Sequence, residues 1–294
     1  MLEHAVFLDL DTVDRGDLDR GALAAAVPRW THLGAADHRP APRIPAGAQV
    51  VVTNKVRLDA AALAAAPDLR LVCIAATGTN NVDLDAARAR GVTVCNVVGY
   101  ATPAVVQHVF ALILALRTRL LEYRDAVRAG AWSRSPHFSL LDYPIAELAG
   151  TTLGIVGYGE LGRGVAAVGR AFGMEVLVSR RPGGEDARPG RVGFDTLLER
   201  ADVVSLHLPL TPATRGLVDA RAFGRMRPTA LLINTARGPI VDEAALLGAL
   251  TAGRLGGAGL DVLGAEPPPA DHPLVRAELP NLIVTPHVAW ASRE

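Results

Sequence analysis

Short apolar runs alternating with alanine-rich helical stretches set the rhythm of the first third of the chain. Residues 5–10, 50–53, 71–75 and 92–95 have the length and β-branched content of buried strands. Residues 58–66 and 83–90 predict the helices between them. Strand and helix in alternation make a parallel sheet with helical crossovers. The Pro-rich stretch 39–45 reads as a surface loop. Gly99-Tyr100-Ala101-Thr102-Pro103 then breaks the pattern. Pro103 suits the first turn of a helix and Thr102 its cap, and apolar residues continue at helical spacing as far as Val127. That helix is apolar almost all round in its middle, so it must be covered on both sides, between domains or by a second subunit.

From Thr151 the alternation restarts. It predicts strands at 153–156, 175–178, 203–206, 231–234, 258–261 and 282–285, with a helix over 161–172. No internal repeat of solenoid period and no low-complexity tail interrupts it. The fold class is therefore α/β with parallel sheets, and 294 residues exceed one comfortable core, which predicts two domains.

Charge and composition narrow the chemistry. The 30 basic and 30 acidic residues cancel, so no whole-protein field favours a nucleic-acid backbone or an anionic membrane. The longest apolar run, 109–116, is far short of the roughly 20 residues of a membrane span. The N-terminus has neither the basic start nor the long apolar stretch of a signal peptide. Cys73 and Cys95 are too few for a disulfide framework. A soluble, cytoplasmic protein is expected. Lys55 is the sole lysine, which counts against a Schiff-base enzyme or a P-loop kinase.

Four clusters carry candidate chemistry. In Gly154-Ile155-Val156-Gly157-Tyr158-Gly159-Glu160-Leu161-Gly162 a strand runs into a Gly-x-Gly-x-x-Gly turn that opens a helix. Glycines there permit a tight turn and close backbone approach to a pyrophosphate, while the helix N-terminus stabilises its charge. Leu232-Ile233-Asn234-Thr235-Ala236-Arg237-Gly238 ends a strand in small residues and one arginine, whose planar fork matches a carboxylate. Asp261-Val262-Leu263-Gly264-Ala265-Glu266-Pro267 sets two carboxylates at and past a strand end. His287 follows the last strand, and His207 ends another. An NAD-specific fold ends its second strand in an acid that holds the ribose 2′-hydroxyl. Here that strand runs into Ser179-Arg180-Arg181, a hydroxyl and two guanidinium groups suited to a 2′-phosphate, so NADP(H) is the expected cofactor with NAD(H) as the other candidate. Candidate cofactor contacts are thus Gly157, Gly159, Glu160, Leu161, Gly162, Ser179, Arg180, Arg181, His207, Pro209, Thr235 and Ala236.

A rival signal lies at Asp9-Leu10-Asp11-Thr12-Val13, which resembles the nucleophile motif of haloacid-dehalogenase-type phosphatases. That route needs Mg²⁺ carboxylates and usually a downstream lysine, for which only Lys55 is available.

Taken together, the stretches Ala75-Ala76-Thr77-Gly78-Thr79-Asn80-Asn81-Val82-Asp83, Gln107-His108-Val109, the glycine motif, Asn234-Thr235-Ala236-Arg237-Gly238, Leu260-Asp261-Val262, Glu266-Pro267 and Thr285-Pro286-His287 resemble the D-isomer-specific 2-hydroxyacid dehydrogenase family. The resemblance runs over essentially the whole chain and is strongest to glycerate dehydrogenases (hydroxypyruvate reductases). It implies a Rossmann dinucleotide-binding domain, residues 99–284, inserted in a flavodoxin-like substrate domain, residues 1–98 with 285–294. It implies hydride transfer between NAD(P)H and a small 2-keto acid, with Arg237, Glu266 and His287 as the catalytic set and no metal. Asp261 is implied to face the nicotinamide carboxamide. Backbone amides near Thr77 and Gly78 are implied to hold the substrate carboxylate, and Asn54, Arg237, His287 and Trp290 complete the candidate substrate contacts. Elementary chemistry agrees: a histidine protonates the new alkoxide, a neighbouring carboxylate steadies the imidazolium, and a guanidinium neutralises the substrate. The apolar helix from Pro103 onward predicts a homodimer, and the resemblance implies a chain that continues past Glu294 into a helix packing on the N-terminal domain. Corepressors of the C-terminal-binding type resemble the same fold, so a nucleotide-sensing scaffold is the alternative.

Overall fold

The structure, a computed structural model, describes residues 2–35, 42–181 and 188–293. The chain forms two compact units that divide between Tyr100 and Ala101.

The first unit is a sheet of β1 (His4–Phe7), β2 (Arg29–His32), β3 (Val50–Thr53), β4 (Leu71–Ile74) and β5 (Thr93–Asn96). All pair in parallel, in the order β2-β1-β3-β4-β5, the doubly wound order of flavodoxin-like sheets. Helices α1 (Arg20–Ala26), α2 (Ala60–Ala64) and α3 (Leu84–Ala89) are among the connections. Asp59 and Asp83 begin α2 and α3 by accepting from the amides of Ala62 and Ala86, groups the helix itself leaves unpaired. Leu63 and Ala87 on those helices bury against Val6, Val51, Val72 and Ile74. Neither α1 nor β2 is among the predicted elements. β2 is a partly exposed edge strand and α1 buries no residue, so neither carries the apolar pattern of a core element. The predicted strand 5–10 stops at Phe7, where the chain coils into a 3-10 turn over Leu10–Thr12 and Thr12 Oγ1 donates to the Asp9 carbonyl. The predicted loop 39–45 lies partly outside the described residues.

The second unit opens with α4 (Thr102–Arg117) and α5 (Leu120–Arg128). Then come β6 (Thr152–Val156), α6 (Glu160–Ala171), β7 (Glu175–Ser179), β8 (Arg191–Val192), α7 (Phe194–Arg200) and β9 (Val203–Leu206). The remainder is α8 (Ala220–Arg225), β10 (Leu231–Asn234), α9 (Glu243–Thr251), β11 (Gly257–Leu260), α10 (Pro273–Arg276) and β12 (Leu282–Val284). Its sheet is also wholly parallel, ordered β12-β11-β10-β9-β6-β7-β8. Strand order reverses between β6 and β9, the switch point beside which dinucleotide folds bind their ligand.

Helix α4 buries Val105, Val106, Val109, Phe110, Leu112, Ile113 and Leu116 within this unit, against Leu153, Ile155, Val165, Ala166 and Ile233. The cover that its sequence demands is thus supplied by α6 and the sheet of its own unit. Glycines let those neighbours close in: a Cβ at Gly164 of α6 would lie 2.8 Å from Val106 Cγ2. Two expectations are corrected here. Ala101 is the capping residue, and the Thr102 hydroxyl instead donates to Glu160 Oε1 at 2.7 Å. The predicted single helix is two, bent by 60°, because Thr118 Oγ1 folds back onto the Leu114 carbonyl and Arg119 takes a left-handed conformation, φ 54°. No single helix among the described residues is long and apolar enough to cross a membrane.

By compactness, residues 285–293 group with the second unit. The Thr285 amide donates to the Leu260 carbonyl at 2.8 Å, which extends the β11–β12 ladder past its last strand residue.

Candidate active site

The glycine turn sits at the carboxyl end of β6, at the switch point. Gly157 has φ +100°, and a Cβ there would lie 2.2 Å from the His207 carbonyl oxygen at the end of β9. A Cβ at Gly162 would lie 2.1 Å from the Gly157 carbonyl, so the turn and α6 close on each other only without side chains. Gly159, the residue before α6, faces open space, the room a pyrophosphate needs beside a helix N-terminus. Glu160 is held by Thr102, and Leu161 packs toward the core. Along the same edge the Thr235 hydroxyl is buried with no partner among the described residues, and Ala236 follows it. An open cradle at Gly159 and an orphaned buried hydroxyl past β10 fit a bound dinucleotide.

His207 contributes backbone more visibly than ring. Its Nε2 lies 2.8 Å from Ser205 Oγ and burial pushes its pKa down to about 4, which keeps the imidazole neutral. The Pro209 carbonyl accepts from Thr214 Oγ1. At the end of β7, Ser179 is buried and its hydroxyl donates to the Arg180 carbonyl at 2.7 Å. The Arg180 amide donates to Val192 and ties β7 to β8, while the Arg180 and Arg181 side chains are exposed. Of the three residues in that predicted phosphate grip, the arginines are exposed and Ser179 is buried.

Three strand ends bring the predicted catalytic set into one unit. After β10 the Asn234 side chain bends the chain, accepting from the Ala236 amide and donating to the Arg237 carbonyl, both at 3.0 Å. Arg237 leaves that bend in an extended conformation with Nη1 on the Ala236 carbonyl. Gly238 then presses on the loop after β11: a Cβ there would lie 2.0 Å from the carbonyl of Leu263. In that loop Glu266 accepts from the Leu263 amide through Oε1 and meets His287 Nδ1 through Oε2 at 2.8 Å. A carboxylate on Nδ1 fixes the ring and the tautomer, so Nε2 is the ring nitrogen not committed to Glu266.

His287 itself has φ +55°, a conformation few non-glycine residues adopt. Asp261 over-determines it. This carboxylate is 1% exposed. Its Oδ1 accepts from Thr285 Oγ1 at 2.6 Å and the Val288 amide at 3.0 Å, its Oδ2 from the Ala289 amide at 2.9 Å. His108 Nε2, from α4, stands 2.9 Å from Thr285 Oγ1 and 3.5 Å from the same carboxylate. The Trp290 indole closes the turn by donating to the His287 carbonyl at 2.9 Å. In these contacts Asp261 is the staple of the histidine turn. Thr285 and His108 belong to motifs visible in the sequence, yet nothing there gave them this task.

In the first unit, Thr77 and Gly78 follow β4. Thr77 Oγ1 donates to the Val97 carbonyl and its own carbonyl accepts from Asn96 Nδ2, which leashes the loop to the end of β5. Asn54 is buried, with its amide on Asp9 Oδ1 and its Nδ2 on Thr12 Oγ1. Asp9 is wholly buried, and its two oxygens accept from the amides of Asn54, Lys55 and Val56. Its job is to hold the turn after β3, and no face is left for the aspartyl-phosphate chemistry that its motif suggests.

Comparison with known proteins agrees with this geometry. Residues 110–289 match the model of the D-isomer-specific 2-hydroxyacid dehydrogenase NAD-binding domain. The chain is 49% identical to a glycerate dehydrogenase of Methylorubrum extorquens over 84% of its own length and 78% of that protein's. It is 36% identical to a hydroxypyruvate reductase of Blautia hydrogenotrophica, over 84% of this chain and 77% of that one. Among solved structures, an NADPH-dependent glyoxylate/hydroxypyruvate reductase of Sinorhizobium meliloti, in complex with NADP and malonate, superposes with a TM-score of 0.83 at 27% identity, covering 99% of this chain and 88% of that one. With a Rossmann sheet, a glycine cradle at its switch point and the family's motifs in order on its strand ends, the chain belongs to the D-isomer-specific 2-hydroxyacid dehydrogenase family.

Proposed function

We propose that this dehydrogenase reduces hydroxypyruvate or glyoxylate to the D-2-hydroxy acid (for glyoxylate, glycolate), with NADPH preferred over NADH and His287 as the acid. The observation that carries the reading is the 2.8 Å contact between Glu266 Oε2 and His287 Nδ1, with Arg237 on another strand end of the same unit. The bound nicotinamide supplies the hydride. Arg237 neutralises the substrate carboxylate and polarises the ketone, so positive charge already stands where the alkoxide develops. His287 delivers a proton from Nε2 to that oxygen, and Glu266 stabilises the imidazolium that serves as donor. Glycerate dehydrogenase and hydroxypyruvate reductase relatives support the substrate class, and the NADP complex of the Sinorhizobium enzyme supports the cofactor.

Steady-state rates with hydroxypyruvate, glyoxylate, pyruvate and 3-phosphohydroxypyruvate, each with both cofactors, test this reading. Hydroxypyruvate or glyoxylate is expected to give the highest kcat/KM. A best rate with the phosphorylated acid overturns the substrate assignment, and no turnover of any of them leaves the nucleotide-sensing scaffold in its place.

The enzyme works as a homodimer in the cytoplasm, where its free thiols Cys73 and Cys95 stay reduced. With α4 covered inside its own unit, the argument for a partner passes to the segment after α5, where Phe138 is 93% exposed, Leu141 82% and Ile145 61%. Apolar side chains so close in sequence and so open to water mark an interface. Sedimentation velocity at micromolar concentration is expected to give a dimer that Phe138→Glu with Leu141→Glu converts to monomer. A wild-type monomer refutes it.

A further inference from the structure

The loop between β11 and the histidine turn carries Glu266, and its own internal bond, from the Leu263 amide to Glu266 Oε1, does not anchor it to the rest of the unit. A polar anchor comes from α9. Glu243, the first residue of that helix, accepts from the Gly264 amide through Oε1 at 2.7 Å. Its other oxygen, Oε2, lies 3.2 Å from Nε2 of His272, the residue just before α10. The His272 side chain is 9% exposed, and its Nδ1 is buried without a partner among the described residues, so the contact to Glu243 is what orients the ring. A carboxylate and an imidazole thus stand one layer behind Glu266 and His287, pinning the loop that presents the front pair. Gly238, next to Arg237, presses on the same loop.

We propose that Glu243 is a positioning residue for the reaction, oriented by His272, and that by pinning the Gly264 amide it sets where the Glu266 carboxylate meets His287. The inference rests on the acid–base roles assigned above. Both Glu243 oxygens are needed, since each takes one donor. In Glu243→Gln a single oxygen remains, and the amide nitrogen faces either the Gly264 N–H or a His272 ring whose remaining N–H is then buried unpaired. The loop loses its pin or the ring its partner. Small displacements of a catalytic group are costly, about a hundredfold for 1 Å.

The test is a double-mutant cycle in the full chain, reading kcat, KM for the keto acid, cofactor Kd and the urea midpoint. Glu243→Gln alone is expected to lower kcat about tenfold to a hundredfold, with cofactor Kd unchanged. In a Glu266→Gln background the same change is expected to cost nothing further, because the group it positions is already disabled. His272→Phe, which suits Leu247 and Leu274 lining the same cavity, is expected to reproduce both results and carries the cycle if Glu243→Gln does not fold. An unchanged kcat in Glu243→Gln, or losses that multiply with Glu266→Gln, overturn the inference while leaving the acid–base reading intact. A Glu266→Gln enzyme with wild-type kcat fails that reading and this inference with it.

Discussion

Replacing His287 with alanine is expected to lower kcat by ~10²–10⁴, the usual worth of a positioned general acid, and to leave the Kd for the nicotinamide cofactor unchanged. The separation follows from where the groups sit. The glycine cradle is formed by β6, β9 and α6, whereas His287 hangs from Asp261 and Glu266 at the far strands of the same sheet. Asparagine is the better control, because it tolerates the left-handed backbone that φ +55° imposes and removes only the ring. Arg237→Ala is expected to lose ~10²–10³ in kcat, the range for removing one preorganised electrostatic contact to the developing oxyanion. Single-turnover rates and fluorescence titration of the cofactor check both. Near wild-type kcat in either variant removes that residue from the mechanism.

Cofactor choice is the second large effect. NADPH is expected to exceed NADH in kcat/KM by about tenfold or more, and Arg180→Asp to reverse the preference. The physical basis is the end of β7, where two exposed guanidinium groups stand and an acid is absent from residues 179–181. A charge-assisted hydrogen bond contributes about 1.5–3 kcal/mol. Solvent screening reduces it, and the remaining ~1.4 kcal/mol is a factor of ten. Arg180 is the residue to change, because the ladder bond from its amide to Val192 fixes its backbone. Ser179 is the wrong place for a carboxylate: the site is buried and its hydroxyl is already committed to the Arg180 carbonyl. Wild-type preference for NADH, or a ratio that Arg180→Asp leaves unmoved, shows that this loop does not read the 2′-phosphate.

Much of the fold was legible where burial on both faces makes a strand continuously apolar. The strands at Val50–Thr53, Val203–Leu206 and Leu231–Asn234 coincide with the apolar runs that predict them. Edge elements were not legible, because Arg29–His32 mixes charge and aromatic rings as a solvent-facing strand does. The break at Arg119 was hidden for another reason: a left-handed arginine leaves no mark in composition. In the site, glycines and strand ends announced the cradle and the three residues, Arg237, Glu266 and His287, proposed for catalysis. Long-range hydrogen bonding did not. Nothing near Asp261 in sequence says that Thr285, Val288 and Ala289 converge on it. Glu243 reads as an ordinary first-turn acid favoured by the helix dipole, and His272, followed by Pro273, reads as a turn residue.

Among the described residues β12 is the final strand, and it sits at the sheet edge beside β11. His287 follows it. During synthesis the ribosome therefore delivers the glycine cradle first, then Arg237, then Glu266, and His287, the proposed proton donor, after them. At ~5–20 residues per second the interval from cradle to donor is on the order of ten seconds. On the roles proposed above, every residue of the proposed dinucleotide site has been delivered once Thr235 is made, before Glu266 and His287, so capacity to bind the coenzyme precedes capacity to use it.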